Sequence, residues 1–276
     1  MRSFYQNLGT FLLILLCMVP LACGEGPPAE APAPSAASTP AKETPPPAPA
    51  PPQISPQEVV DRLHQGVDVS VHSGAVDWQA VADAGHHYAY LKATEGVDLK
   101  DSAFDDHWQR AKEAGLVRGA YHFYVTEDDP EEQAQFFIEN VELRPGDLVP
   151  VVDVEVLGHG TEPGLPNRLR RFLEIIEDHY GVKPMIYTSP NFWNRHVATN
   201  FGDYPLWIAE YGVEQPQLPN GWDDWHLWQW EDDPQVPGVE KDADRSHLNR
   251  ERSDLHRLVI PGPAATEEAS GPEVES

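Results

Sequence analysis

Hydrophobic and polar positions alternate in a regular way between residues 57 and 260. Short runs rich in β-branched and aromatic residues predict strands, and stretches with helical apolar periodicity separate them. The predicted strands cover residues 66–72, 88–96, 117–124, 147–155, 184–188, 205–212 and 225–233. Asp77 is placed to cap one intervening helix, and a long amphipathic helix runs from Asn167 to Tyr180. This repeated βαβ order indicates a mostly parallel sheet.

The last predicted strands are joined by loops that are too short for full helices. Proline and glycine interrupt the segment between residues 205–212 and 225–233. The alternative to a barrel is a doubly wound open sheet. Seven or eight strands in a chain segment of this length fit a compact closed barrel better. We therefore predict an α/β fold, an irregular single (β/α) TIM-like barrel with degraded last helices.

Composition changes sharply at both ends of this domain. Proline and alanine dominate residues 24–56, which predicts an extended, disordered linker. Residues 261–276 are acidic and rich in small side chains, which predicts a disordered tail. The predicted organisation is a signal peptide over residues 1–23, the linker over 24–56, a catalytic barrel over 57–260 and the tail over 261–276.

The leader has the features of an export signal. Its apolar run from Phe11 to Met18 is too short to span a bilayer comfortably. Leu21 and Ala22 precede Cys23, which resembles the lipid-modified cysteine of bacterial lipoproteins, although Pro20 stands where those leaders prefer leucine. We expect export to the cell envelope with a lipid anchor, in the outer membrane or periplasm. An ordinary cleaved signal and a secreted protein are the alternative.

Charge and cysteine content exclude several classes of function. The formal net charge is −26, which argues against nucleic-acid partners because phosphates require a basic face. No basic amphipathic helix is evident, so membrane contact is expected only through a lipid on Cys23. Both cysteines, Cys17 and Cys23, lie in the leader, which excludes thiol chemistry in the domain. Histidine spacing shows no metal pattern, and His86 and His87 precede the second strand. We expect no metal, no cofactor and a monomer.

Two acids interrupt an apolar run in "LVPVVDVEVLG", residues 148–158. Asp153 and Glu155 are two residues apart, so they share one face of the strand at a spacing of about 6.6 Å. The strand's C-terminal end is where barrels of this class place their active sites. Two close acids in a partly dry cleft raise a pKa, and glycoside hydrolysis needs such a proton donor beside a carboxylate. The alternative is that the two acids cap a loop or pair with arginines such as Arg168.

A third acid lies on the first predicted strand. Asp68 shares a face with Ser70 and His72, and the first strand neighbours the last one in a closed barrel. A single buried aspartate can also be a structural hydrogen-bonding group. Convergence of Asp68 with Asp153 and Glu155 at one rim favours a catalytic role for all three.

Seven motifs occur in the order in which a known family carries them. They are "GVDVSVHSGAVDW", "YAYLKATEG", "RGAYHFY", "VPVVDVE", "PMIYTSPNFW", "PLWIAEY" and "HLWQWEDDPQVPGVEKDADRSHLN". Together they resemble the Chalaropsis-type lysozymes, glycoside hydrolase family 25, over roughly residues 64–258. The resemblance implies an irregular β/α barrel that cleaves the β-1,4 bond between N-acetylmuramic acid and N-acetylglucosamine in peptidoglycan glycan strands.

The resemblance also implies roles for the acids. Glu155 would be the general acid, and Asp153 would stabilise the substrate's 2-acetamido group in a retaining, substrate-assisted route. Asp68 matches the family's first-strand aspartate. Asp244 matches its late aspartate, although Ala243 and Leu248 replace the usual valine and phenylalanine, and Asp242 is close enough to compete for the role.

Other side chains of these motifs are expected to contact the sugar. By the resemblance they are Tyr124, Tyr187, Trp207, Tyr211, Gln229 and Trp230. Rings in such positions can stack on sugars, and amides can bind acetamido groups. We assign Trp225 and Trp228 to core packing, and Lys92 with Glu95 to a structural ion pair at the barrel rim.

Two other functions are compatible with parts of this pattern. A chitinase-like family 18 glycosidase also ends its fourth strand in Asp-x-Glu, but that motif has a further aspartate where this chain has Val151. A non-catalytic wall-binding lipoprotein is the second alternative. The presence of all the acids argues against it, whereas the strong negative charge, which would repel anionic wall polymers, argues for it.

Overall fold

The computed structural model describes residues 55–158, 164–232 and 235–262. The predicted signal peptide with Cys17 and Cys23, the linker up to residue 54 and the tail from residue 263 lie outside the described residues. Across the described ranges, none of the helices has the length and apolar character needed to cross a membrane.

In the part of the chain that the structure describes, nine strands form one sheet. They are β1 (Gln65–Val69), β2 (Tyr88–Glu95), β3 (Leu99–Lys100), β4 (Val117–Phe123), β5 (Val151–Asp153), β6 (Met185–Thr188), β7 (Leu206–Ala209), β8 (Leu227–Glu231) and β9 (Asp244–Leu248). The order is β1-β9-β8-β7-β6-β5-β4-β2-β3, and β1 also pairs with β2. This extra pairing closes eight strands into a barrel and leaves β3 as a short hairpin partner of β2. The predicted irregular barrel is confirmed.

Helices cover the outside of the first part of the barrel. They are α1 (Pro56–Val60), α2 (Trp78–Asp83), α3 (Phe104–Glu113), α4 (Pro130–Asn140), α5 (Leu165–Tyr180) and α6 (Pro190–His196). The Asp77 side chain accepts a hydrogen bond from the Ala80 amide at the start of α2, as predicted. Among the described residues, only irregular chain connects β7, β8 and β9, which confirms that the last helices are degraded.

Several element boundaries differ from the sequence prediction. Residues 71–73 form a 3₁₀ helix instead of extending β1, because the Ser70 hydroxyl accepts the His72 amide as a cap. β5 spans only Val151–Asp153, so Glu155 follows the strand instead of lying within it. β9, with the sequence DRSHL, was not predicted because its polar residues hide the apolar alternation. β9 runs antiparallel to both β1 and β8.

The barrel interior is filled by tyrosines from β2 that face glycines on the neighbouring strands. Gly66 on β1 is paired with Tyr88, and Gly119 on β4 is paired with Tyr90. A Cβ atom at Gly119 would lie 2.2 Å from a Tyr90 ring carbon, and one at Gly66 would lie 2.4 Å from the Tyr88 ring. These glycines therefore make room for the rings that fill the interior.

Strand alternation separates two packed layers. Outward residues such as Val67, Leu91, Val152 and Ile186 join the apolar layer between sheet and helices. Inward residues belong to a second cluster, which includes Tyr88, Tyr90, Val151, Tyr187 and Trp207. The inward positions at the C-terminal ends of the strands are polar, and they form the site described next.

Candidate active site

A cleft of about 190 Å³ opens at the C-terminal ends of the barrel strands. Its lining residues are Asp68, Ser70, His72, Lys92, Tyr121, Phe123, Val151, Asp153, Glu155, Tyr187, Trp207, Gln229 and Asp244. All four acids singled out from the sequence line this one cleft. They come from the first strand, the middle of the chain and the last strand, and barrel closure brings them together.

The local backbone explains why the four acids converge. Asp68 on β1 is the register partner of Asp244 on β9, so the two carboxyl groups arise from paired strands. Asp153 ends β5, and Glu155 follows on the same side two residues later. Val152 and Val154 are fully buried on the outer side. Val156 is 49% exposed because the strand has already ended.

The surroundings of Asp153 and Asp68 oppose ionisation of their carboxyl groups. Burial, followed by the charge of Glu155, raises the pKa of Asp153 well above its ordinary value. Burial and the charge of Asp244 likewise raise the pKa of Asp68, although Gln229 partly offsets this by hydrogen bonding. Within the described structure, Oδ1 of Asp153 is buried and has no hydrogen-bond partner. A buried carboxyl group with a raised pKa and an oxygen without a hydrogen-bond partner is more typical of a reacting or binding group than of a structural one.

Glu155 lies at the open rim of the cleft. Its side chain is exposed to solvent on one side, yet the surrounding protein and the charge of Asp244 raise its pKa from the ordinary value. Because water still reaches this carboxyl group, we expect the pKa of Glu155 to rise further when a ligand fills the cleft and excludes solvent. Glu155 is thus the acid best placed to exchange a proton with a bound molecule.

A hydrogen-bonded network fixes the amide of Gln229 beside Asp68. The hydroxyl of Tyr187 donates to Oε1 of Gln229 at 2.7 Å, and the Tyr211 hydroxyl donates to the same oxygen. Nε2 of Gln229 in turn donates to Oδ2 of Asp68 at 2.8 Å. The two hydroxyl donors determine which way the amide points, so the network presents Asp68 in one orientation. Tyr211 is 38% exposed and, unlike Tyr187, is not among the residues that line the cleft, although its hydroxyl contacts Gln229 of that lining.

Trp207 forms part of the cleft wall. Its ring lies 4.9 Å from the Tyr90 ring and 5.0 Å from the Tyr187 ring, centroid to centroid. Nε1 of Trp207 donates to the Ser246 hydroxyl at 2.9 Å. These contacts hold the indole in the cleft wall, where it is only 2% exposed.

Two aromatic side chains expected in the cleft lie elsewhere, and both assignments are wrong. Tyr124 points outward because Tyr121 and Phe123 take the inward positions on that side of β4, and its ring packs 5.5 Å from Phe172 of α5. Trp230 is also outward and packs near His247. Counting alternation from the inward residues of β4 would have found Tyr121 and Phe123, which the sequence analysis missed.

The structure also places the other residues that were singled out from the sequence. Asp244 lines the cleft, whereas Asp242 is exposed outside it. Ala243 and Leu248, which replace the family's valine and phenylalanine, are both buried in the core. Trp228 is buried in the outer layer and Trp225 packs against that layer, as assigned. Nζ of Lys92 pairs with Glu95 at 2.6 Å, but Lys92 also lines the cleft, which the sequence analysis did not predict.

The proposed pairing of the central acids with an arginine is wrong. Nη2 of Arg168 donates to the backbone carbonyls of Glu127 and Asp128, at 3.1 and 2.6 Å. As for metals, no group of three or more His, Cys, Asp or Glu side chains in the described ranges has the geometry to hold an ion.

A larger cavity of about 670 Å³ lies at the opposite end of the barrel. His86 and His87 line it together with apolar residues of α1 and of the segment before β4. Burial, with the charge of Arg245, lowers the pKa of His86 to about 4, so this histidine is neutral at physiological pH. Asp147 is the one acid among the described residues that line this cavity, and neither histidine lines the cleft.

Comparison with known proteins identifies related chains. Residues 67–239 match the family profile described as "Glycosyl hydrolases family 25". The uncharacterized protein YegX of Escherichia coli K12 is 36% identical over 199 residues, which cover 70% of this chain and 72% of YegX. Lysozyme M1 of Streptomyces globisporus is 34% identical over 208 residues and 71% of each chain. The crystal structure of a lysozyme from Streptomyces coelicolor superposes with a TM-score of 0.67 at 30% identity, covering 72% of this chain and 97% of that one.

Proposed function

The chain belongs to glycosyl hydrolase family 25, and from this membership and the cleft geometry we propose that it is a lysozyme that hydrolyses peptidoglycan. The proposed bond is the β-1,4 linkage between N-acetylmuramic acid and N-acetylglucosamine. The relatives named lysozyme support this choice of substrate. The family resemblance inferred from the seven sequence motifs is confirmed, and with it the prediction that the chain is a glycosidase.

One observation carries the proposal. Asp153 and Glu155 lie in one cleft with raised pKa values, and no lysine or arginine among the described residues forms an ion pair with either of them. Two such acids favour holding a proton between them at a pH where isolated carboxyl groups are ionised. The unprotonated alkoxide is a poor leaving group, so bond cleavage requires a carboxyl group that still holds a proton to donate to the glycosidic oxygen.

The first step of the proposed reaction breaks the glycosidic bond. The carbonyl oxygen of the sugar's 2-acetamido group attacks the anomeric carbon while Glu155 donates its proton to the departing glycosidic oxygen. The acetamido N–H donates to the carboxylate of Asp153, which lines the cleft and stabilises the positive charge of the cyclic intermediate. That hydrogen bond favours ionised Asp153, so the shared proton is left on the more exposed Glu155.

The second step restores both groups. The Glu155 carboxylate accepts a proton from a water molecule, whose oxygen attacks the anomeric carbon and opens the ring of the intermediate. Two displacements at the same carbon give net retention of configuration. Asp68, oriented by Gln229, and Asp244 keep a negative potential around the sugar as its positive charge develops.

Digestion of purified peptidoglycan tests the bond that is cut. The products are reduced with borohydride and the reduced terminal sugar is identified by mass spectrometry. We expect reduced N-acetylmuramic acid from the wild-type protein and none from Glu155→Gln. Reduced N-acetylglucosamine would indicate a glucosaminidase or chitinase-like specificity, and an intact glycan would indicate a wall-binding protein.

The stereochemical course needs a separate measurement. Proton NMR of a short muropeptide substrate, recorded in the first minutes of reaction, identifies the anomer formed before mutarotation. Retention predicts the β anomer. Initial release of the α anomer would replace substrate assistance by a direct displacement by water.

We further propose that the protein is exported and held at the cell envelope by a lipid on Cys23. The apolar run from Phe11 to Met18, the small residues before Cys23 and the proline-rich stretch after it support this proposal. Mass spectrometry of the mature N-terminus tests it. A diacylglyceryl-modified Cys23 is expected, and an unmodified terminus elsewhere would replace lipid anchoring by simple secretion.

A further inference from the structure

The cleft contains one strongly basic side chain. Among its lining residues, Lys92 is the only lysine or arginine, in a wall that carries four acids. The lysine side chain is only 11% exposed, and it comes from the inward face of β2. A cation in this position acts on the acids through the protein interior, where water screens charge poorly.

A backbone irregularity positions Lys92 relative to Glu95. In a regular strand, residues three apart point to opposite faces of the sheet. The pairing of β2 with β4 shifts between Lys92 and Thr94, where one extra residue is inserted on β2. Lys92 is paired with Tyr121 and Glu95 with Phe123, so the bulge puts both charged residues beside inward residues of β4.

The bulge allows contacts that hold the lysine in one place. Its Nζ lies 2.6 Å from Oε2 of Glu95 and 4.8 Å from the centroid of the Phe123 ring. Glu95 is itself 31% exposed, so it lies closer to solvent than the lysine does. An ammonium group that is held by a carboxylate on one side and by a ring face on another has little freedom to turn away from the cleft.

We propose that Lys92 is a positioning residue that limits protonation of the Asp153–Glu155 pair, and that Glu95 restrains its effect. This inference rests on the proposed lysozyme function. Lys92 offsets part of the repulsion among the acids, so the pair keeps one negative charge while it holds one proton. Without that cation the pair binds a second proton in the working pH range, and Asp153 can no longer stabilise a cationic sugar.

The acidic groups around the pair act in the opposite sense to Lys92. The charge of Lys92 lowers the pKa of Asp153 and of Glu155, whereas burial and neighbouring acids raise both. The other titratable groups that face or surround the pair are Asp68, His72, Glu95, Tyr121, Tyr187, Tyr211 and Asp244. Burial raises the pKa of Tyr121 and Tyr187 far above the working range, so both hydroxyl groups stay neutral and add no negative charge to the cleft.

The first test does not depend on activity. The side-chain carboxyl carbons of the full protein are titrated by ¹³C NMR in wild type, Lys92→Met and Glu95→Gln. Lys92→Met is expected to raise the apparent pKa values of the cleft acids by about one unit, the scale for removing one nearby opposite charge. Glu95→Gln removes a negative charge near the pair and is expected to lower the apparent pKa values of the cleft acids.

Two controls separate charge from fold. Lys100 lies on β3, the hairpin partner of β2, and pairs with exposed Asp105 of α3. Lys100→Met removes this cation and is expected to leave the titration of the cleft acids unchanged. Lys92→Arg keeps the charge and is expected to restore most of the wild-type titration. If Lys92→Met does not fold, the double variant Lys92→Met/Glu95→Gln leaves neither charge unpaired and should still shift the titration upward, by less.

The pH dependence of kcat on peptidoglycan is the second readout. The acidic limb of the profile is expected to move to higher pH in Lys92→Met and to lower pH in Glu95→Gln. If the ion pair between Lys92 and Glu95 were purely structural, both variants would be less stable, and the pH dependence of kcat would be unchanged in each. Unchanged titrations, or shifts of the same sign in both variants, would overturn the inference. Reducing-end analysis of the wild type stands apart from these measurements, so failure of the lysozyme proposal would be recognised separately.

Discussion

Two groups of acids in this protein occupy opposite environments. In the cleft, burial and like charges raise the pKa values of Asp68, Asp153 and Glu155. Near the loop after β9, Arg252 holds Asp254 with two hydrogen bonds of 2.8 Å and Asp224 with one of 3.1 Å. Hydrogen bonding to Arg252 lowers the pKa of Asp254 to about 2. The difference follows from the presence or absence of a paired arginine.

The comparison distinguishes structural acids from chemical ones. An acid with a lowered pKa gains stability from being ionised in the folded state, so the Arg252 cluster helps to hold the chain together. When an acid with a raised pKa ionises in the folded state, the folded protein becomes less stable. The cleft acids therefore destabilise the fold at neutral pH, and a catalytic role accounts for keeping them. The predictions below test each half of this contrast.

The largest expected effect is the loss of catalysis in Glu155→Gln. The amide cannot donate the proton that the leaving oxygen needs, so kcat on peptidoglycan should fall by about 10³-fold or more. Asp254→Asn is the matched control from the other cluster, and its kcat should stay near the wild-type value. Comparable losses in the two variants would remove the distinction between the clusters.

Asp153→Asn is expected to have the next largest effect. The neutral amide no longer stabilises the cationic intermediate, so kcat should fall by about 10²–10³-fold with a smaller change in KM. Steady-state kinetics on soluble muropeptide oligomers measure both constants. A rise in KM alone would mean that Asp153 binds the sugar without taking part in the reaction.

Asp254→Asn is expected to lower stability instead. The pKa of this group is about 2 in the folded protein against an ordinary value of 3.8, so its contribution is present above about pH 4 and disappears as the pH falls towards 2. Because the cluster is partly solvent-exposed, we expect a loss of about 1 kcal/mol in the free energy of unfolding at pH 7. Urea denaturation at pH 7 and at pH 2 measures the difference, which should vanish at the lower pH.

The smallest effect is expected from two tyrosine-to-phenylalanine variants. Tyr187→Phe removes one of two donors that orient Gln229 and should raise KM several-fold, on the scale of one neutral hydrogen bond. Tyr124→Phe lies in the outer layer and should leave kcat and KM unchanged. A larger change in Tyr124→Phe than in Tyr187→Phe would return Tyr124 to the cleft wall.

The fold and the acids Asp68, Asp153 and Glu155 could be predicted because they depend on local pattern, whereas Asp244 was assigned only by the family resemblance. Apolar runs mark the parallel strands, and the position of Asp153 and Glu155 late in one run places them at the barrel mouth. β9 could not be found in this way because four of its five residues are polar and Leu248 is its only apolar side chain. The misplacement of Tyr124 came from assigning an aromatic residue by motif instead of by face.

Other features depend on tertiary geometry that no local pattern contains. The bulge between Lys92 and Thr94 is visible only once β2 pairs with β4, so the sequence indicated an ion pair but not a cation in the cleft. The choice of Asp244 over Asp242 likewise follows from the register between β9 and β1. The monomeric state and the identity of the wall substrate stay predictions.

The most direct test of the central claim is the free energy of unfolding of Glu155→Gln, measured by urea denaturation across pH. Because the pKa of Glu155 is raised from 4.5 in the folded protein, ionisation destabilises the wild type as the pH rises, and the amide avoids this loss. The account predicts that the inactive variant is more stable than the wild type at pH 7 and equally stable below about pH 4. A variant that is less stable at pH 7 would show that Glu155 supports the fold, and it would contradict the account.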